Sequence, residues 1–277
     1  MIIHNSSNKE NLNILPSYVY NNIKYPGLKV NAIKEKFNTC NEYKVHPVLP
    51  QPPFFITMVA PRNSGKTNLL IDLLTDKKKL AKSFDWIFIW SKTYHHDSKW
   101  RALKIDKENV KDVFDPSFVR SIFEMCESLM HLYEKGQLEQ TAGLKRPPRT
   151  LFIFDDMIDQ GIMHAQRMSI METMAVRGRH VGVSVIIISQ LYKKLSSAVR
   201  VNSTNLIIFR IQNSGELKKI SEENQEMLSN KEFRELLYYC TNKPYGFLHI
   251  DKSCRDPSQR FRCNWDDVLY INSSNKE

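Results

Sequence analysis

The sequence lacks the features that mark secreted, membrane-spanning and metal-stapled proteins. It has only five cysteines and no Cys-x-x-Cys pair, so neither a zinc ribbon nor a disulfide framework is indicated, and we expect plain thiols. The first residues, Met1–Asn5, contain no basic region and no apolar core, so we expect no signal peptide. No apolar run approaches the length that spans a bilayer. These absences favour a protein of the cytosol, or one assembled there.

Acidic residues are also scarce relative to basic ones. The chain has 40 Lys and Arg against 30 Asp and Glu, which gives a formal charge of +10 and a pI near 9.3. A solvated basic surface explains this excess, and so does a polyanionic partner, because neutralising phosphates releases their condensed counterions. The basic residues form short clusters, at Lys77–Lys79, Lys145–Arg146 with Arg149, Lys193–Lys194, Lys218–Lys219, and Arg260 with Arg262.

The pattern of apolar residues divides the chain into three parts. Residues 1–50 show no sustained periodicity and are interpreted as an irregular arm, and residues 267–277 as a polar tail. Residues 51–266 alternate short apolar runs with amphipathic stretches, which predicts an α/β domain with a mostly parallel sheet. Strands are predicted at 54–60, 86–90, 151–154, 181–189, 206–209 and 245–250. Helices are predicted at 65–80, 116–136, 165–177, 215–228 and 231–239.

A phosphate-binding loop is predicted where the first strand meets the first helix. Backbone N–H groups in such a loop surround the β-phosphate, and the helix N-terminus adds a favourable dipole. Lys66 would reach the β- and γ-phosphates of ATP, and the Thr67 hydroxyl would bind Mg²⁺. Ala60 replaces the usual first glycine, which a small residue with negative φ can do. The nucleotide-binding residues of the predicted loop are Ala60, Pro61, Arg62, Asn63, Ser64, Gly65, Lys66 and Thr67.

Polar residues end two further predicted strands. Asp155 and Asp156 close the strand at 151–154, and Gln190 follows the β-branched strand at 181–189. Asp155 is the candidate Mg²⁺ ligand and Asp156 the candidate general base, although capping of the next helix explains two such acids equally well when they are taken alone. Gln190 would sense the γ-phosphate if its strand lies between the other two, although taken alone it is equally well explained as an ordinary strand end. The order of loop, acids and Gln is far more specific than any one of them.

Two arginines are candidates for a finger that reaches the nucleotide of a neighbouring subunit. Arg179 lies in the run Arg177–His180 directly before the strand at 181–189, and Arg200 precedes the strand at 206–209. A solvated loop arginine is as good an explanation for each of them taken singly.

The run Thr241–Pro244 resembles the Asn-Lys-x-Asp signature that reads guanine. The acid that recognises guanine is replaced by Tyr245, so specificity for GTP is unsupported.

The segment Arg177–Gln190 resembles the corresponding stretch of the DNA-packaging ATPases of large cytoplasmic DNA viruses, including poxviruses, and of virophage- and polinton-like elements. These proteins belong to the FtsK/HerA superfamily of DNA-pumping motors. Arg200–Asn202, Gly246–Asp251 and Arg260–Trp265 are similar as well, and the resemblance runs from about residue 54 to 266.

The resemblance implies a RecA-like P-loop ATPase whose sheet is flanked by helices on both faces, with the Gln190 strand between the phosphate-loop strand and the acidic strand. It implies a homo-oligomeric ring around double-stranded DNA that uses ATP and Mg²⁺ to fill a preassembled capsid, with a capsid or portal-vertex protein as partner, in the host cytoplasm or the virion. By position in the motif, the resemblance favours Arg179 over Arg200 as the finger.

Three alternative functions remain open at this point. A plasmid-transfer or segregation motor of the same superfamily would usually carry membrane segments or extra DNA-binding modules, and neither is visible. A small-molecule kinase would be expected to have an arginine-rich lid and no sensor Gln. A non-hydrolysing, ATP-gated DNA-binding scaffold of the virion is disfavoured by the presence of both Asp156 and Gln190.

Overall fold

The computed structural model describes residues 45–157, 169–226 and 228–269. Most of the predicted N-terminal arm and of the predicted C-terminal tail lies outside these residues. So does the first part of the helix predicted for 165–177 and the first of the five cysteines. The cysteines within the described ranges, Cys126, Cys240, Cys254 and Cys263, are free thiols.

The described residues form one nine-stranded sheet in the order β3-β2-β4-β5-β1-β6-β7-β8-β9. The first six strands along the chain run parallel to one another, as the alternation of apolar runs and helices predicts. Their bounds are β1 (Phe55–Val59), β2 (Trp86–Ser91), β3 (Val110–Lys111), β4 (Thr150–Asp155), β5 (Val183–Ser189) and β6 (Asn205–Phe209).

Strand β5 lies between β1 and β4, which confirms the strand order that the resemblance implied. All seven of its residues are buried, as its almost continuous β-branched sequence predicts. Ile186 pairs with Ile56 of β1 and with Ile153 of β4. Each fully buried isoleucine contributes about 2 kcal/mol through removal of its side chain from water. The centre of the sheet, which carries the candidate site, is therefore its most deeply buried part.

Helices cover both faces of the sheet. On one face, Leu70 and Leu73 of the first helix share a core with Ile56 and Met58 of β1. The other face packs against five further helices, whose core residues join Phe55 of β1 in a second cluster. The α-helices of the described ranges are α1 (Lys66–Thr75), α2 (Pro116–Glu134), α3 (Leu138–Ala142), α4 (Ile170–Arg177), α5 (Ser197–Asn202), α6 (Ser214–Asn224) and α7 (Asn230–Cys240). No helix in these ranges combines the length and the apolar character that a bilayer-spanning segment needs.

Three antiparallel strands extend the sheet beyond β6. They are β7 (Phe247–Asp251), β8 (Phe261–Cys263) and β9 (Asp267–Val268). The sequence predicts only the first of them, and it gives no sign of direction, because a single apolar run reads the same in either orientation. Since β7 runs against β6, its first residue lies at the edge of the sheet where the parallel strands end.

Several predicted boundaries are wrong by a few residues. The first helix ends at Thr75 and not near Leu80, because the Asp76 carboxylate accepts a hydrogen bond from the Lys78 backbone N–H at 2.9 Å and starts a turn. The strand predicted from residue 181 begins at Val183, after Gly182 has turned the chain with a φ of +69°.

Candidate functional site

The carboxyl ends of β1, β5 and β4 meet at one edge of the sheet. The predicted phosphate loop, Gln190 and the acid pair Asp155–Asp156 stand at these three strand ends, in that order, and therefore lie together. The Ala60 backbone N–H donates to the Ser189 carbonyl at 2.9 Å, so the phosphate loop leaves the sheet beside the end of β5. On the other side of β5, the Asp156 backbone N–H donates to the Ile188 carbonyl at 3.1 Å. The loop and the acid pair are therefore fixed to the same central strand.

The backbone of the predicted phosphate loop requires glycine at position 65. Gly65 has a φ of +98°, and a Cβ at this position would lie 2.7 Å from the Tyr245 side chain, so conformation and space both require glycine. Helix α1 begins directly after it, with Leu69 donating to the Gly65 carbonyl at 2.9 Å. Ala60 is buried and has a negative φ, which is why alanine is accommodated there. The Ser64 hydroxyl is buried in the loop without a hydrogen-bond partner in the described part of the chain.

Asp155 ends β4 and is almost completely buried. Its Oδ2 atom accepts hydrogen bonds from the Ser91 hydroxyl at 2.9 Å and the Thr93 hydroxyl at 3.3 Å. Its Oδ1 atom is buried and has no partner among the described residues. Burial raises the pKa of the Asp155 carboxyl, while the nearby Lys66 ammonium opposes that shift. Two hydroxyls thus orient the carboxylate and leave one oxygen for a ligand.

A carboxylate oxygen of Asp156 brings Lys66 of the loop and Gln190 together. Its Oδ2 accepts a hydrogen bond from the Gln190 amide at 3.0 Å and also contacts the Lys66 ammonium. Asp156 has a φ of +51°, in the left-handed region that Asp adopts more readily than most residues. This backbone turn directs the second acid toward the loop, whereas Asp155 points back toward β2.

The donor set fits Mg²⁺, which prefers oxygen ligands. The ion would be held by the Oδ1 atom of Asp155, which has no partner among the described residues, and by the half-buried Thr67 at the start of α1. When bound beside ATP, Mg²⁺ would neutralise charge on the β- and γ-phosphates.

A cavity of about 700 Å³ opens above the loop. Pro61 and Ser64 line it on one side, and Asp156 and Gln190 on the other. Arg210, directly after β6, also lines it and was missed by sequence reasoning, although a polar residue after a parallel strand is the same signal that identified Gln190. Ser91 and Thr93 were missed as well, since nothing in the sequence links them to Asp155. A volume of this size is typical of small-molecule sites.

The two candidate arginines lie at the opposite edge of the sheet. Arg179 precedes β5 and Arg200 precedes β6, so both are at the amino ends of strands whose carboxyl ends carry the site. Arg179 is exposed, and its Nε lies 3.3 Å from a ring nitrogen of His180. Arg200 is mostly buried and forms two hydrogen bonds to the Glu223 carboxylate, at 2.9 and 3.0 Å. Neither arginine reaches the candidate nucleotide site of its own chain.

Solved structures with this fold include two genome-packaging enzymes. The DNA-packaging ATPase B204 from Sulfolobus turreted icosahedral virus is 18% identical over 73% of this chain and 94% of its own, with a TM-score of 0.50. The genome packaging NTPase B204 from Sulfolobus turreted icosahedral virus 2, in complex with AMP, is 17% identical over 80% of this chain and 98% of its own, with a TM-score of 0.53. At these identities the likeness establishes the fold alone.

Sequence comparison gives a more specific result. No curated protein sequence matches the chain significantly. The model of the poxvirus A32 protein family matches residues 43–241, which contain the phosphate loop, the acid pair and the Gln190 strand. Because this match covers most of the sequence, the chain belongs to the poxvirus A32 protein family.

Proposed function

We propose that this chain is an ATP-hydrolysing motor that translocates double-stranded DNA and packages a viral genome into a preformed capsid. The observation that carries the proposal is the meeting of Lys66, Gln190 and Asp156 at one carboxylate oxygen, next to an Asp155 oxygen that has no partner among the described residues. A phosphate-binding lysine, a carboxylate for water and a polar sensor are the groups that ATP hydrolysis requires.

Hydrolysis would begin with ATP held by the loop and by Lys66. As the γ-phosphate draws Lys66 away, the Asp156 carboxylate becomes available to orient a water and accept its proton. Gln190 donates to the same carboxylate oxygen in the described structure, at 3.0 Å, so it is placed to follow the change in charge there. Gln190 directly follows the buried strand β5. A displacement of Gln190 would therefore be transmitted along β5 to the opposite end of that strand.

An arginine of a neighbouring subunit would complete the site. The exposed position of Arg179 supports it as the finger, because its guanidinium forms no ion pair within the described residues and can therefore enter another chain. Arg200 would have to leave the Glu223 carboxylate, whose pKa it helps to hold at about 2 against the cost of burial. We therefore assign the finger to Arg179 and a structural role to Arg200.

Contacts to DNA would be made to its phosphates, because a packaging motor must move over any sequence. The formal charge of +10 supports a polyanionic partner. Membership of a poxvirus family, and the packaging role stated for the two B204 proteins that share the fold, support packaging over plasmid transfer. A homo-oligomeric ring, a capsid or portal-vertex partner, and action at the cytoplasmic assembly site or in the virion follow from this proposal.

The first experiment measures ATP hydrolysis with and without linear double-stranded DNA over a range of salt concentrations. We expect DNA to stimulate turnover, the stimulation to fall as salt rises, and the Lys66→Ala variant to be inactive. Lys231→Ala, which removes a lysine that is 87% exposed, is the matched control and should retain wild-type turnover. Turnover that DNA does not change at any salt concentration would exclude a translocase, and ATP binding without turnover would favour a gated scaffold.

A second experiment tests packaging itself. In cells that assemble particles with the Lys66→Ala protein, capsids are expected to form without DNA. Particles with a normal DNA content would contradict the packaging role even if the isolated protein is a DNA-stimulated ATPase.

A further inference from the structure

A second cavity, of about 430 Å³, lies beside the phosphate loop. Asn63 and Ser64 of the loop form one wall, and the segment Thr241–Gly246 forms another. Ser64 and Arg210 line both this cavity and the larger one that contains Asp156. The two cavities are therefore neighbours that share the phosphate loop, and the hydrolytic mechanism uses only the first of them.

The order of strands fixes which end of a nucleotide faces each cavity. Asp156 and Gln190, which mark the γ-phosphate, follow β4 and β5 on one side of β1. Strands β6 and β7 lie on the other side of β1, and Thr241–Gly246 leads into β7 at the edge of the sheet where the parallel strands end. A triphosphate with its γ end at Asp156 therefore projects its nucleoside toward Thr241–Gly246.

Tyr245 lines this second cavity and packs against the phosphate loop. Its side chain packs on Gly65, where an added Cβ would lie 2.7 Å from Cδ1 of the ring. Its φ is +63°, a conformation that is uncommon for a bulky residue. Yet Tyr245 remains 68% exposed. An aromatic ring that is anchored at the phosphate loop and open to solvent is suited to stack on a base, since every base has a π face.

We propose that the segment Thr241–Gly246 is the base subsite, in which Tyr245 stacks on the purine of a bound nucleoside triphosphate. This inference rests on the proposed function, because it takes the phosphate loop as the nucleotide site. Among the described residues that line the cavity, none is Asp or Glu, so no carboxylate is present to read the edge of guanine. The base is therefore held mainly by its face, which adenine and guanine both present.

The test compares binding of Mg²⁺-ATP with binding of Mg²⁺-tripolyphosphate, which has the phosphates and no base, by titration calorimetry. Tyr245→Ala is expected to weaken ATP binding roughly ten- to a hundredfold, and to leave tripolyphosphate binding unchanged. Tyr245→Phe keeps the ring and should bind ATP within about twofold of wild type. Tyr239→Ala is the matched control, because Tyr239 is a 49% exposed tyrosine on α7 outside the residues that line the cavity.

Each other outcome would refute either the base subsite alone or the base subsite together with the proposed function. If Tyr245→Ala leaves ATP binding unchanged, or weakens ATP and tripolyphosphate equally, the base subsite is refuted while the proposed ATPase stands. Wild-type affinities that are equal for ATP and tripolyphosphate have the same meaning. If the wild-type protein binds neither compound, the phosphate loop is not a nucleotide site, and the proposed function is refuted together with the inference.

Discussion

Replacing Asp156 by asparagine is expected to change ATP binding and ATP hydrolysis in opposite directions. In the described structure Lys66 contacts Asp156 Oδ2, and it must leave that oxygen before it can bind phosphate. Asparagine removes the negative charge that holds Lys66 and that repels the γ-phosphate. It also removes the proposed acceptor of the water proton. Binding should therefore become tighter while turnover is lost.

The size of the expected change in ATP affinity follows from how exposed the Lys66 and Asp156 side chains are. The Lys66 and Asp156 side chains are 12% and 27% exposed, so solvent screens their interaction only partly. A hydrogen bond to a charged group contributes about 1.5–3 kcal/mol when it is well buried, and we discount this to about 1–2 kcal/mol here. ATP binding should tighten roughly 5- to 30-fold. Loss of a general base should reduce turnover by roughly two to four orders of magnitude.

The assay is equilibrium titration with Mg²⁺-ATP, followed by single-turnover hydrolysis at saturating ATP. Asp112→Asn makes the same chemical change at an exposed position and should alter neither quantity. Gln190→Ala removes the second donor to Asp156 but leaves the Lys66 contact, so it should not tighten binding. Weaker or unchanged ATP binding in the Asp156→Asn variant would show that Asp156 does not compete with phosphate for Lys66. Turnover within about tenfold of wild type would show that Asp156 is not the general base.

Three further predictions concern other parts of the structure. Gly65→Ala should abolish ATP binding and lower the free energy of unfolding by about 1–3 kcal/mol, measured by urea denaturation, because it adds a clash to the strain of a positive φ. Gly136→Ala, where φ is positive but the space is open, isolates the strain. Arg179→Ala and Lys66→Ala proteins, each inactive alone, should recover part of the DNA-stimulated turnover when they are mixed. Burial holds the pKa of His249 at about 4, below the usual 6.5. Because the unfolded chain binds a proton at His249 more readily than the folded one, the free energy of unfolding should fall by up to roughly 3 kcal/mol as the pH falls from 6.5 to 4. The His249→Gln variant should lose this pH dependence.

Each of these three predictions can be contradicted by a specific measurement. Normal ATP affinity in the Gly65→Ala protein would show that the loop tolerates a side chain. Mixtures that stay inactive would place the finger elsewhere. A urea midpoint that does not move between pH 6.5 and 4 would show that His249 is protonated in the native state at no cost.

The central strands of the fold could be predicted from sequence because each of them shows the same local pattern. The apolar run before Asp155, the β-branched run before Gln190 and the strand before the phosphate loop each indicate a buried strand with a polar end. Parallel strands place such ends at one edge, so the proximity of these residues follows from topology. The contact of Lys66 and Gln190 with the same oxygen does not follow, since it depends on the positive φ of Asp156.

Features that depend on distant partners could not be predicted. Ser91 and Thr93 orient Asp155 only because β2 pairs with β4, which brings together Ser91 and Asp155 from 64 residues apart in sequence. The segment before Tyr245 is, on sequence grounds, only an incomplete guanine signature. The structure places it beside the phosphate loop because β7 is antiparallel, a direction that the apolar run does not encode.

The short strands at the two borders of the sheet affect how copies of this chain can associate. Along the described part of the chain, the sheet ends in β3 and β9, which have two residues each and carry the charged residues Lys111 and Asp267. Such borders offer few free backbone groups, so they resist the edge-to-edge strand addition that leads to aggregation. In the proposed ring, neighbouring copies of this chain would therefore join through side chains. Contacts of that kind can break and re-form as subunits reorient, which a continuous backbone ladder would prevent.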